Sequence, residues 1–168
     1  MQIFSDLQIY DLITAEYKSC LNKMIGHINN AQNITVDDQI EEIEAGRYFL
    51  APFDPQAENS GKPFIEFAIG SLDDNGGQIV DVVQGAAGLG TTMQIMLYVP
   101  VRGRNSDERV MRQLMLYKHA LLMVAKQVSD VVAGAGSARL AGIVPLEYEY
   151  SGENLRGVGI KIITTYMV

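Results

Sequence analysis

Cysteine occurs once in this 168-residue chain, at Cys20, so no internal disulfide can staple the fold. Histidine occurs twice, at His27 and His119, and with a single thiol these give no zinc-ligand spacing. No apolar run approaches the roughly 20 residues needed to cross a bilayer. The opening MQIFSDLQIYD has no basic leader and reaches Asp6 and Asp11 early, so no secretory signal is expected and synthesis is placed in the cytosol. A Pro-Gly-Ser linker and an internal repeat are both missing. The expectation is one domain, 1–168, with an irregular acidic segment at 33–63.

Apolar residues make up 48% of the chain and charged residues 20%, enough for a packed core. The net charge of −7 removes unspecific attraction to nucleic-acid phosphates as a default. The charge is unevenly spread. Residues 37–58 hold Asp37, Asp38, Glu41, Glu42, Glu44, Asp54 and Glu58 against Arg47 alone, whereas 102–112 hold Arg102, Arg104, Arg109 and Arg112 against Asp107 and Glu108. Two patches of opposite sign permit head-to-tail contacts between copies, or are simply two solvated faces.

Ser5 with Gln8 has the form of a capping box, and Tyr10, Ile13, Tyr17, Leu21, Met24 and Ile28 supply a helical stripe that Asn29 and Asn30 would stop. In NITVDDQIEEIEAG, Val36, Ile40 and Ile43 suit a short helix ending at Gly46, and an extended edge suits them too. RYFLAPF and FIEFAIGSL read as strands, the second with Ile65, Phe67 and Ile69 on one face. Asn75-Gly76 has hairpin-turn chemistry, and QIVDVVQ returns as a partner. TMQIMLYVPVRG is a long strand whose Pro100 marks an edge or a bulge. Asn105 and Glu108 open a helix to about 132 with the stripe Val110, Leu114, Tyr117, Leu121, Val124, Val128 and Val131. Met111, Met115 and Leu122 widen that stripe beyond one sheet face. RLAGIVPLEYEY and GVGIKIITTYMV close the chain around SGENLRG. The fold class expected is α+β: an antiparallel or mixed sheet of about five strands, covered on one face by an N-terminal helix and one long helix at about 105–132.

Residues 85–92, GAAGLGTT, nearly match the phosphate-cradling pattern G-x-x-x-x-G-K-[ST], with Gly85, Gly90 and Thr92 in register but Thr91 in place of the lysine. That loop works because a helix begins straight after it and turns its first N–H groups to the anion. Met93 to Val101 is rich in β-formers and is no helix start. The segment containing Gly85, Gly88 and Gly90 is therefore expected to be a mobile strand-to-strand connection whose functional use is subunit contact.

No catalytic set emerges, and no cofactor or metal site. His27 suits a helix C-terminus, and His119 lies off the main stripe of the long helix. Cys20 is expected to be a small buried side chain. Glu147 and Glu149 would share one wet face of an alternating strand, and the methionines suit adaptable packing.

The order of elements resembles tail-terminator (tail-completion) proteins of long-tailed bacteriophages. The resemblance is carried by the capped first helix, the hairpin around DDNGG, the join YVPVRGRNSDERVM, the long helix, and the last strand Ile160 to Tyr166. The acidic segment from Asn33 to Pro63 is longer than that pattern has. The resemblance implies a non-enzymatic structural virion protein, made in the host cytoplasm, that assembles as a ring, commonly a hexamer. Such a ring caps the tail tube, meets tail-tube protein on one face and a neck or head-closure protein on the other, and lets DNA pass without specific binding or any role for a membrane. Alternatives are another neck protein, such as a head-closure or adaptor protein, and a small anion- or ligand-binding α/β module. The subunit-interface residues expected are Arg102, Arg104, Arg109, Arg112, Gly85, Gly88, Gly90, Asp37, Asp38, Glu41 and Glu42.

Overall fold

The computed structural model describes residues 6–51, 61–69, 80–83, 86–101, 106–135, 138–150 and 154–167. Helix α1 runs Asp6–Asn29 and helix α2 runs Ser106–Gly134. Between them lie a single 3-10 turn at Val36–Asp38 and strands β1 (Tyr48–Leu50), β2 (Phe64–Ile69), β3 (Val80–Val83) and β4 (Ala86–Pro100). Strands β5 (Ala138–Tyr150) and β6 (Leu155–Met167) follow α2. The sheet order is β1-β2-β4-β6-β5, with β3 paired to the first residues of β4. All these pairings are antiparallel except β1 with β2, so the sheet is mixed, one of the two arrangements expected of this α+β fold.

The alternation of β2, β4 and β6 sorts their side chains onto two faces. Ile65, Phe67, Met93, Ile95, Leu97, Val158, Ile160 and Ile162 face the helices and join the α1 and α2 stripes in one core. Both helical stripes follow the expected spacing, except that Val132 rather than Val131 is the fully buried last member. The helices are tied by a buried hydrogen bond in which the Tyr17 hydroxyl donates to the Leu121 carbonyl at 2.8 Å. Burial raises the Tyr17 pKa well above its ordinary value, so the hydroxyl keeps the proton it donates. Phe67 is a hub: Tyr10 and Tyr17 meet it edge-on and Tyr48 stacks on it.

The opposite face carries a smaller cluster of Phe64, Met96, Tyr98 and Leu155. Its geometry depends on two glycines of β6. Gly159 pairs with Met96 and Gly157 with Tyr98, and the large side chains lie over the glycines. A Cβ on Gly157 would stand 2.8 Å from the Tyr98 ring, and one on Gly159 would collide with the Ile95 carbonyl oxygen and the Met96 sulfur. Residues 155–157 therefore belong to β6 rather than to the expected hairpin loop.

Three further expectations change. The Gly-rich run is not a loop: Gly88 pairs with both Asp81 and Met167, and Gly90 pairs with Thr165, within the 15-residue strand β4. Ladder bonds from β3 and β6 at Gly88, and from β6 at Gly90, offset the entropic cost of glycine, and the strand continues through Thr91 to Ile95 without a helical turn. Gly85 lies outside the described residues, as do Ser5, Asn75-Gly76, Asn105 and Gly136. Second, the β5–β6 register shifts between Leu146 and Glu149, so the pairing there is not the regular ladder that the sequence suits. Third, Cys20 is half-buried rather than buried, and its thiol donates to Glu16 Oε1 at 3.2 Å. Pro100 is tolerated at the end of central β4 because β2 stops pairing at Tyr98, leaving a local edge.

Candidate interaction surface

Residues 33–46 form neither the short helix nor the edge strand that their sequence suits. After the 3-10 turn, residues 39–44 have no regular structure, yet Ile40 and Ile43 are 3% and 1% exposed. Two asparagines of α1 hold them. Asn22 and Asn29 are seven residues apart and share a helix face. Asn29 Nδ2 donates to the Ile40 carbonyl at 2.8 Å, and its Oδ1 accepts the Ile40 N–H at 2.9 Å. Asn22 treats Ile43 the same way, at 2.8 Å for both bonds. Each amide reads one residue's backbone as a neighbouring strand would. From α2, the Tyr117 hydroxyl donates to the Glu41 carbonyl at 2.8 Å. Burial, chiefly, and the nearby Glu41 charge raise the Tyr117 pKa, while the backbone hydrogen bond opposes them. Asn29, read from sequence as a helix stop, is thus the last residue of α1 and also an anchor.

With its backbone fixed, the segment turns its acids outward: Asp37, Glu41 and Glu42 are exposed. Asp38 accepts from Thr35 Oγ1 at 3.0 Å and from Arg112 Nη2 at 2.8 Å. The acidic and arginine-bearing segments therefore meet within one subunit, and Arg112 spends charge on its own chain. Arg109 is exposed on the same helix. Arg102 and Arg104 lie outside the described residues. Arg47, the one cation in the acidic stretch, is 9% exposed; it donates to the Pro63 and Lys62 carbonyls and lies 5.7 Å over the Phe64 ring. Glu44 pairs with Lys62.

The first turns of α1 and the last turns of α2 leave an open groove of about 600 Å³, lined by Gln8, Asp11, Leu12, Ala15, Val131, Gly134 and Ala135. Among the described residues the only ionisable one lining it is Asp11, which gives no acid–base pair and no nucleophile with a base beside it. His27 and His119 are both exposed and sit on different helices. Among the described residues no group of three His, Cys, Asp or Glu side chains is placed to hold a metal ion. No helix among them is long and apolar enough to cross a membrane.

The anchoring asparagines and the paired glycines escaped the sequence reading. The signal for the first was two asparagines seven apart on the rim of an apolar stripe. The signal for the second was Gly-x-Gly inside an otherwise β-rich run.

No protein-family model and no curated protein sequence matches the chain. Among solved structures it is similar to a chain from the virion of a native gene transfer agent (GTA) particle. The two share 14% identity over 93% of this chain and 98% of that chain, with a TM-score of 0.38, a likeness too loose to carry a function.

Proposed function

We propose that the chain is a structural assembly subunit that works through its surface. The observation that carries this is the anchored acidic segment. Five side-chain hydrogen bonds, from Asn22, Asn29 and Tyr117, fix a stretch of backbone whose outer face is Asp37, Glu41 and Glu42. Immobilising irregular backbone costs about 1–2 kcal/mol per residue, and the result is a rigid charged display rather than a cavity with chemistry.

More particularly, we propose a tail terminator: a ring, commonly of six copies, that caps the tail tube of a long-tailed phage and joins it to the neck, within the virion. The sequence resemblance supports that role, and so does the net charge of −7, which disfavours retention of a passing duplex. In this reading the exposed acids and Arg109, together with Arg102, Arg104 and the glycine-bearing stretch 85–90, contact neighbouring copies or the tube. A head-closure or adaptor role would use the same surfaces.

Light scattering and negative-stain images test the ring. The expected result is a closed ring, with a mass that is a multiple of 18.5 kDa when formed alone, or a ring seen on the end of tube protein. The anion-binding alternative is tested on the same sample by thermal shift: ATP and inorganic phosphate are expected to leave the melting temperature unchanged. A saturable stabilisation by either would favour that alternative.

A further inference from the structure

A ring needs two different patches that face different neighbours. The acidic segment is one, on the side where α1 packs against α2, and the intrachain Arg112–Asp38 pair shows that the arginine side of α2 belongs to that same flank. Its complement must lie elsewhere. Helix α2 covers β5 and β6, and β5 is the edge of the sheet opposite β1. Met111, Met115, Lys118, Leu122 and Lys126 are spaced four, three, four and four along α2, so they line one side of it, turned away from α1 and the acidic segment. Glu108 stands two turns before Met115, at the helix start.

Among the described residues, Val36 at 81% and Met115 at 65% are the two most exposed large hydrophobic side chains. Acids predominate around Val36, with Arg112 paired to Asp38 beside it, and lysines follow Met115, with Glu108 two turns before it. Val36 opens the turn that leads into Asp37, Glu41 and Glu42. Met115 is followed on its own side of α2 by Lys118, half-buried, and Lys126, exposed. We propose that the acidic segment of one copy, led by Val36, docks on the methionine-lysine stripe of the next copy's α2. An apolar centre ringed by complementary charge is the usual anatomy of a specific interface. The contact is head-to-tail, because the two surfaces lie on different flanks of each subunit. It uses Met115, the exposed member of the residues that widen the α2 stripe; Met111 and Leu122 are partly buried against the core. The docking rests on the ring reading and specifies which surfaces close the ring.

Complementary charge reversal in the full chain tests it. Lys118→Glu with Lys126→Glu gives one double variant, and Glu41→Lys with Glu42→Lys gives another. Each alone is expected to lose assembly at least tenfold while keeping the wild-type circular dichroism and melting temperature. Mixed in equal amounts, the two should assemble again, in particles where the variants alternate, because each segment then faces a stripe of opposite sign. Val36→Cys with Met115→Cys, in a Cys20→Ser background, should form a ladder of disulfide-linked oligomers on mild oxidation. Variants that assemble as the wild type does, or a mixture of folded variants that stays monomeric, would overturn the docking while leaving the ring intact. A wild-type chain that never assembles would overturn both.

Discussion

Gly159→Ala is expected to destabilise the fold by about 3 kcal/mol, more than an ordinary surface or strand substitution. The added methyl meets the Ile95 carbonyl oxygen, which is ladder backbone at the centre of the sheet, and the Met96 sulfur above it. A side chain could swing aside, but backbone in a strand paired on both edges cannot, so the β4–β6 pairing itself must shift. Gly157→Ala should cost less, because its nearest neighbours are atoms of the Tyr98 ring, which can tilt at the expense of its stacking on Phe64. Gly26→Ala supplies the opposite sign. A methyl there meets nothing within 4 Å in the last turn of α1, and the gain in helix propensity is worth at most about 0.5–1 kcal/mol. Chemical denaturation of the three variants checks the order. Equal, small effects for Gly159 and Gly26 would mean that the large-over-glycine packing of the second face is wrong.

The double variant Asn22→Ala with Asn29→Ala is expected to release residues 39–44 from the helices. It removes four hydrogen bonds that are partly buried, each with a net worth of about 1 kcal/mol, and leaves the backbone groups of Ile40 and Ile43 without those partners. Loss of the anchored conformation also exposes two buried isoleucines, while the freed backbone regains about 1–2 kcal/mol of conformational entropy per residue, so the net cost is about 3–5 kcal/mol. The effect is local before it is global. Hydrogen exchange at the Ile40 and Ile43 amides should rise to the rate of a free chain while the β4 and β6 amides keep their protection. Proteases should cut the variant between α1 and β1 first. Unchanged protection at Ile40 and Ile43 would show that Tyr117 and the apolar contacts suffice without the asparagines.

These two cases also mark where sequence reading runs out. Period and turn chemistry made the helices, most strands and the mixed, helix-covered sheet legible, because each signal is local. The position of Ile40 and Ile43 was not legible, since it is decided by amides 11 and 21 residues away that in sequence look like ordinary helix polar residues. The run from Gly85 to Thr92 looked like a loop because glycine has no strand preference of its own. What makes 86–92 a strand is pairing with β3 and with β6, some 75 residues later in the chain for Gly90 and Thr165. The bulge beyond Leu146 left no local mark at all. For the interaction surface, composition located the acidic and basic segments but not their mutual placement. That Arg112 answers Asp38 within one subunit is a fact of the tertiary fold, and it moves the search for an intersubunit cation to the other side of α2.

The most direct measurement of the proposed role is the length of tail tubes grown in the presence of this protein. Tube protein polymerised alone should give a broad distribution of lengths by electron microscopy. Added at a ring's worth per tube, the wild-type chain should arrest growth and appear as a cap of extra density at one tube end. Tubes that keep growing, uncapped, at any concentration of this protein would contradict the assignment.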